Sequence, residues 1–116
     1  MDLLYYDKLK MYMEKNMITL ETVEDLKTYI GKTTGQSPWI KVNQERINEF
    51  AKATEDYQWI HVNEEKAQKG IFGSTIAHGF LTLSLAPWMS YNTYEVKNIA
   101  HSVNYGLDKV RFLSPV

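Results

Sequence analysis

An acid and an imidazole stand five positions apart in the stretch Asp56-Tyr57-Gln58-Trp59-Ile60-His61, and a His78-Gly79 step follows after an apolar spacer. A carboxylate and a neutral imidazole facing one water molecule can take a proton from it and return one. A glycine at the start of an apolar run offers a backbone N–H with no side chain in the way. Such a donor stabilises charge developing on a carbonyl oxygen, and preorganised donors of this kind contribute several kcal/mol. Together the two features suggest polar chemistry on a carbonyl compound. Taken singly, each also fits a plain reading: Asp56 ending a helix, His61 preceding the next cap, and His78-Gly79 forming a tight turn.

The bulk composition limits the alternatives. A chain of 116 residues holds one domain with one core. Hydrophobic residues make up 44% and charged residues 23%, the ordinary globular balance. A net charge of -1 gives no basis for nucleic acid or an anionic membrane as partner. The absence of cysteine removes disulfides, thiolate metal sites and a cysteine nucleophile. No apolar run approaches the roughly 20 residues that span a bilayer, and the N-terminus lacks the pattern of a secretory signal. These features point to a soluble cytoplasmic protein.

The elements that would hold the site read as follows. Residues 2–15 have a loose helical pattern. Thr22 and Asp25 form a T-x-x-D start for a helix carrying Val23, Leu26 and Ile30, ended by Gly31. Trp39–Val42 alternates as a short strand. Asn43 caps a helix with Ile47, Phe50, Ala51 and Thr54 on one face, and Asn63 caps a shorter one. Gly70 and Gly73 allow a flexible connection or close passage beside something bulky. From Gly79 to Met89 the chain is apolar nearly all round, as in a buried helix, which Pro87 would kink or end. Ser102–Phe112 alternates as a strand with a parity switch beside Gly106 and Asp108, the mark of a bulge. Two strands cannot wrap a buried helix. Either a partner supplies others, or the sequence is part of a longer one.

The segments Asp56–His61 and Ile71-Phe72-Gly73-Ser74-Thr75-Ile76-Ala77-His78-Gly79-Phe80-Leu81 together resemble the MaoC-like dehydratases, the (R)-specific enoyl-CoA hydratase group of the hot-dog fold, and within it the subgroup related to nodulation protein N. The resemblance runs from about Met17 to Val116, leaving residues 1–16 as a helical N-terminal extension before a MaoC-like domain over 17–116. It implies an α+β fold in which an antiparallel sheet wraps a long central helix, with the later strands missing or supplied by a partner. It also implies a homodimer acting on an acyl-CoA or carrier-bound thioester, with no cofactor. In the family's D-x-N-P-x-H signature the Asp and His fall on Asp56 and His61, while Gln58 and Trp59 stand where Asn and Pro are common. The helix-start glycine falls on Gly79, and Pro87 replaces a serine that some members use. The implied reaction is hydration of a trans-2-enoyl thioester to an (R)-3-hydroxyacyl thioester. Alternatives are a hot-dog thioesterase and an acyl-binding or dimerisation module without catalysis.

Around these residues, Gln58, Trp59, Ile76, His78, Phe80 and Leu83 are candidates for substrate contact, with plain core packing as the competing role for the apolar ones. His78 also suits holding the loop before the helix. No metal is expected, because no two of the three histidines have helix-compatible ligand spacing and no carboxylate clusters with them.

Overall fold

The computed structural model describes residues 3–116, so the first residue of the helix expected over 2–15 lies outside the described residues. The chain divides into two compact units: one runs through Trp39 and resumes over Ala86–Leu107, the other comprises Ile40–Leu85 and Asp108–Val116.

In the first unit, helix α1 spans Leu3–Asn16 and buries none of its side chains. Its Tyr12 hydroxyl donates to the Gln36 carbonyl at 2.7 Å. Strand β1 (Ile18–Leu20) pairs in parallel with β2 (Tyr94–Val96), Ile18 opposite Tyr94 and Leu20 opposite Val96. The helix expected after Thr22 is a 3-10 helix, Val23–Tyr29, started by the Thr22 N–H donating to Asp25 Oδ2 at 2.9 Å. Gly31 follows at φ 75°, the left-handed conformation expected of it. Helix α6 (Ala86–Tyr91) carries Pro87 in its first turn, where a missing N–H costs no helical bond. A cavity of about 690 Å³ opens among Met13, Met17, Leu26, Pro87, Tyr94 and Ile99.

The second unit carries the residues that could do chemistry. Helix α2 spans Gln44–Thr54 and begins as expected, with Asn43 Oδ1 accepting from the Arg46 N–H at 3.1 Å. It buries Ile47 and Ala51, and Ile47 packs with Ala77 and Leu81 in a core joined by Val42, Phe50 and Leu85. Helix α2 ends at Glu55, which takes a left-handed conformation at φ 60° and turns the chain sharply at Asp56. Two short helices follow: α3 (Trp59–Val62) and α4 (Glu64–Gln68), the latter capped by Asn63 Oδ1 accepting from the Lys66 N–H at 2.9 Å. The Trp59 ring lies against Gly70, where an added Cβ would come within 3.2 Å of it, so Gly70 does pass something bulky.

Three expectations need correction. The helix starting at Gly79 is neither long nor buried all round: α5 ends at Ser84, only Leu81 is buried in it, and Phe80 is 69% exposed. Pro87 is the reason, since it cannot donate the bond that would carry α5 onward. Neither Trp39–Val42 nor Ser102–Phe112 forms a strand. The antiparallel sheet is also absent among the described residues, which hold one two-stranded parallel sheet. Alternation describes a surface able to pair, but a strand exists only where a neighbour receives its backbone bonds. Without one, Trp39 and Tyr105 stay exposed.

Candidate functional site

The turn at Glu55 leaves the Asp56 side chain partly in solvent, 53% exposed, with Oδ1 accepting the Gln58 N–H at 3.3 Å. That two-residue bond is an Asx turn, and it orients the carboxylate at the mouth of α3. His61, one turn later, is buried at 7% exposure. Its Nδ1 lies 2.7 Å from the Ile76 carbonyl oxygen. A carbonyl only accepts, so Nδ1 carries the proton and Nε2 keeps its lone pair. His61 is thus held as the tautomer that can act as a base through Nε2.

His78 is buried more deeply, at 3% exposure, and by the same reasoning its Nε2 donates to the Asp56 carbonyl oxygen at 2.9 Å. It therefore holds the loop that presents Asp56, through the backbone of the acid itself. Its ring stacks on His61 with centroids 3.8 Å apart and planes 25° from parallel, while Phe50 packs against it at 4.9 Å. His78 Nδ1 is buried with no hydrogen-bond partner among the described residues.

The expectation that no carboxylate clusters with the histidines is overturned: the turn at Glu55 folds Asp56 back onto them. Donor atoms of Asp56, His61 and His78 all lie within 4.8 Å of one another. A metal ion must lie in the plane of each imidazole it binds, at about 2 Å from the nitrogen. Rings stacked 3.8 Å apart with planes 25° from parallel do not present both nitrogens squarely to one ion. The arrangement suits proton handling between a carboxylate and an imidazole.

Gly79 opens α5, and its N–H has no intrahelical acceptor at that first position. The glycine serves a close approach: a Cβ there would lie 2.5 Å from Cδ2 of Phe112. The Phe112 ring meets Phe80 edge-on, with centroids 5.9 Å apart. Beside these residues is a cavity of about 370 Å³, bounded in part by His61, Phe72, Ile76, Gly79, Thr82 and Phe112. Of the expected catalytic residues, His61 and Gly79 line it and Asp56 does not; of the expected contact residues, Ile76 does. Gln58, Trp59, His78, Phe80 and Leu83 do not. Gln58 is exposed, and Trp59 packs between Gly70 and the Lys66 ammonium, which lies 4.7 Å from its ring centroid. Phe72, Thr82 and Phe112 were not singled out from sequence, and no local signal marks them. Phe112 reaches the site across more than thirty residues of chain.

Comparison with known proteins fits this geometry into a family. The sequence profile described as "MaoC like domain" matches residues 25–116. The chain belongs to the MaoC-like family. It is 52% identical over 100 residues to 3-hydroxyacyl-thioester dehydratase Z of Mycobacterium tuberculosis, which covers 86% of this chain and 66% of that protein. It is 47% identical over 97 residues to nodulation protein N of Rhizobium leguminosarum bv. viciae, covering 82% of this chain and 60% of that one. The chain therefore spans somewhat less than two thirds of the length of these relatives. Among solved structures, the monoamine oxidase regulatory protein of Archaeoglobus fulgius superposes with a TM-score of 0.57 at 35% identity, over 70% of this chain and 54% of that one. Family and structural likeness together support a hot-dog fold. The helix α1 lies outside the MaoC-like match.

Proposed function

We propose that this MaoC-like chain is an acyl-thioester hydratase or dehydratase, adding water to a trans-2-enoyl thioester to give the (R)-3-hydroxyacyl thioester. The observation that carries the reading is the state of His61: Nδ1 is committed to the Ile76 carbonyl, Nε2 is free to accept, and the Asp56 carboxylate stands in the same cluster. A hydratase needs that pair. The name of the dehydratase Z relative supports the same class of reaction.

In the proposed step, the Gly79 N–H draws charge into the thioester carbonyl and makes C3 electrophilic. Asp56 and His61 hold a water between them. Its oxygen forms a bond to C3 as Nε2 takes its proton, and the C2=C3 electron pair moves toward the carbonyl. C2 then receives a proton from the imidazolium, so one water is added and His61 returns to its starting state. The reverse sequence eliminates water. Coenzyme A or a carrier protein as the thioester's other half, a homodimeric assembly and a cytoplasmic location belong to the same proposal. Among the described residues no helix is long and apolar enough to cross a membrane.

One observation favours a second reading, an acyl-binding module without turnover: the Phe112 ring lies over Gly79, where the thioester oxygen would approach. Hydration of crotonyl-CoA, followed by loss of enoyl-thioester absorbance, separates the two. Turnover that vanishes in both Asp56→Asn and His61→Ala supports the hydratase. A folded chain inert toward short and long enoyl thioesters refutes it and leaves the binding module.

A further inference from the structure

One side chain outside the cluster joins the two segments whose relative position sets the His61 tautomer. Gln44 is the first residue of α2, beside the Asn43 cap. Its Nε2 donates to the His61 carbonyl oxygen at 2.8 Å and to Asn48 Oδ1 at 2.9 Å. Its Oε1 accepts from the Thr75 hydroxyl. The His61 carbonyl can only accept, so the amide must turn its nitrogen that way, and its oxygen is then available to Thr75. Thr75 immediately precedes Ile76, whose carbonyl receives the His61 Nδ1 proton and whose N–H donates back to the Ile60 carbonyl at 3.0 Å.

The His61 Nδ1–Ile76 bond thus spans a gap between α3 and the 75–76 segment, and Gln44 holds both sides of that gap with one rigid amide. No other residue could do this at the same length with the same polarity. Glutamate would keep an acceptor for Thr75 but turn a carboxylate toward the His61 carbonyl. Leucine would keep the volume and lose both bonds. We propose that Gln44 is a positioning residue for the proton-transfer site, clamping α3 to the 75–76 segment so that His61 stays protonated on Nδ1 and basic on Nε2. Its hydrogen bonds go to the His61 carbonyl, Asn48 and Thr75 and not to His61's ring. Its effect passes through the backbone on both sides of the Nδ1 bond. The same hydrogen bonds explain why a half-exposed glutamine begins an amphipathic helix where a glutamate would suit the helix dipole better.

The test uses Gln44→Leu and Gln44→Glu. The first readout is independent of catalysis: ¹H–¹⁵N NMR of the imidazole nitrogens above the titration range. The parent should show His61 protonated on Nδ1. Both variants should shift population to the Nε2-protonated form, seen as averaged or exchanged nitrogen shifts. The second readout rests on the hydratase reading: kcat for crotonyl-CoA should fall about 10- to 100-fold, the usual cost of displacing a reacting group by about an ångström, with KM little changed. A parent inert toward enoyl thioesters would sink the hydratase reading while leaving the NMR arm decisive. The clamp is overturned if both variants keep the parent's tautomer. Should Gln44→Leu fail to fold, Gln44→Glu decides alone, since a glutamate in the first turn of a helix is well tolerated.

Discussion

Substituting Gly79 by alanine tests the contact that closes over the start of α5. The new Cβ would lie 2.5, 2.7 and 2.9 Å from Cδ2, Cε2 and Cγ of Phe112. Carbon atoms rest at about 3.5–4.0 Å, so the ring must retreat by about 1 Å or swing away. It has room to do so, being 50% exposed, but it then gives up its edge-on contact with Phe80. An aromatic pair contributes about 0.5–1.5 kcal/mol beyond area burial, and overpacking costs about 1–3 kcal/mol where nothing yields. With a ring that can yield, the loss should be about 1–2 kcal/mol, a fall of roughly 4–8 °C in the thermal midpoint. The assay is a double-mutant cycle with Phe112→Ala, read by denaturant or thermal unfolding. In the Phe112→Ala background, Gly79→Ala should be neutral or slightly stabilising, because replacing glycine at a compatible position restricts the unfolded chain. The coupling should then be about 1–2 kcal/mol. Equal costs in both backgrounds, with coupling under about 0.5 kcal/mol, would refute the contact. Crotonyl-CoA hydration should stay low in the double variant even though stability returns, because the methyl group still blocks the thioester oxygen. Recovery of turnover along with stability would show that Gly79 serves packing alone.

Other consequences are simpler to check. Asn43→Ala removes the cap that accepts the Arg46 N–H and should cost about 1 kcal/mol in urea unfolding. Glutamine or aspartate there should behave differently, with only aspartate restoring the loss. Glu55→Gly should raise stability by about 0.5 kcal/mol, since relief of the left-handed strain at φ 60° outweighs the added freedom of glycine in the unfolded chain. A lower midpoint would mean that the Glu55 side chain makes a contribution the backbone conformation does not reveal.

Local chemistry carried a good part of this reading. Asn43 and Asn63 cap helices because a short side-chain oxygen at that position reaches the first free N–H, whatever the rest of the chain does. The apolar spacing of Ile47 and Ala51 predicts the buried face of α2 for the same reason. Gly31 turns left-handed, and the helix from Gly79 ends before Pro87, through backbone sterics alone. The family resemblance, carried on Asp56–His61 and Ile71–Leu81, was likewise legible in residues close along the chain. What depended on partners was not. Trp39–Val42 and Ser102–Phe112 alternate like strands, but pairing is a property of two segments, and neither has its neighbour among the described residues. The proximity of His78 to Asp56, the Ile76 carbonyl that selects the His61 tautomer, the Gln44 amide that spans both segments and the Phe112 ring on Gly79 all join residues 15 to 33 positions apart. Sequence supplies the groups able to make such bonds. Only the packing of α2, α3 and the start of α5 decides which of them meet, because a hydrogen bond or a ring contact requires a few ångströms of separation that spacing along the chain does not encode.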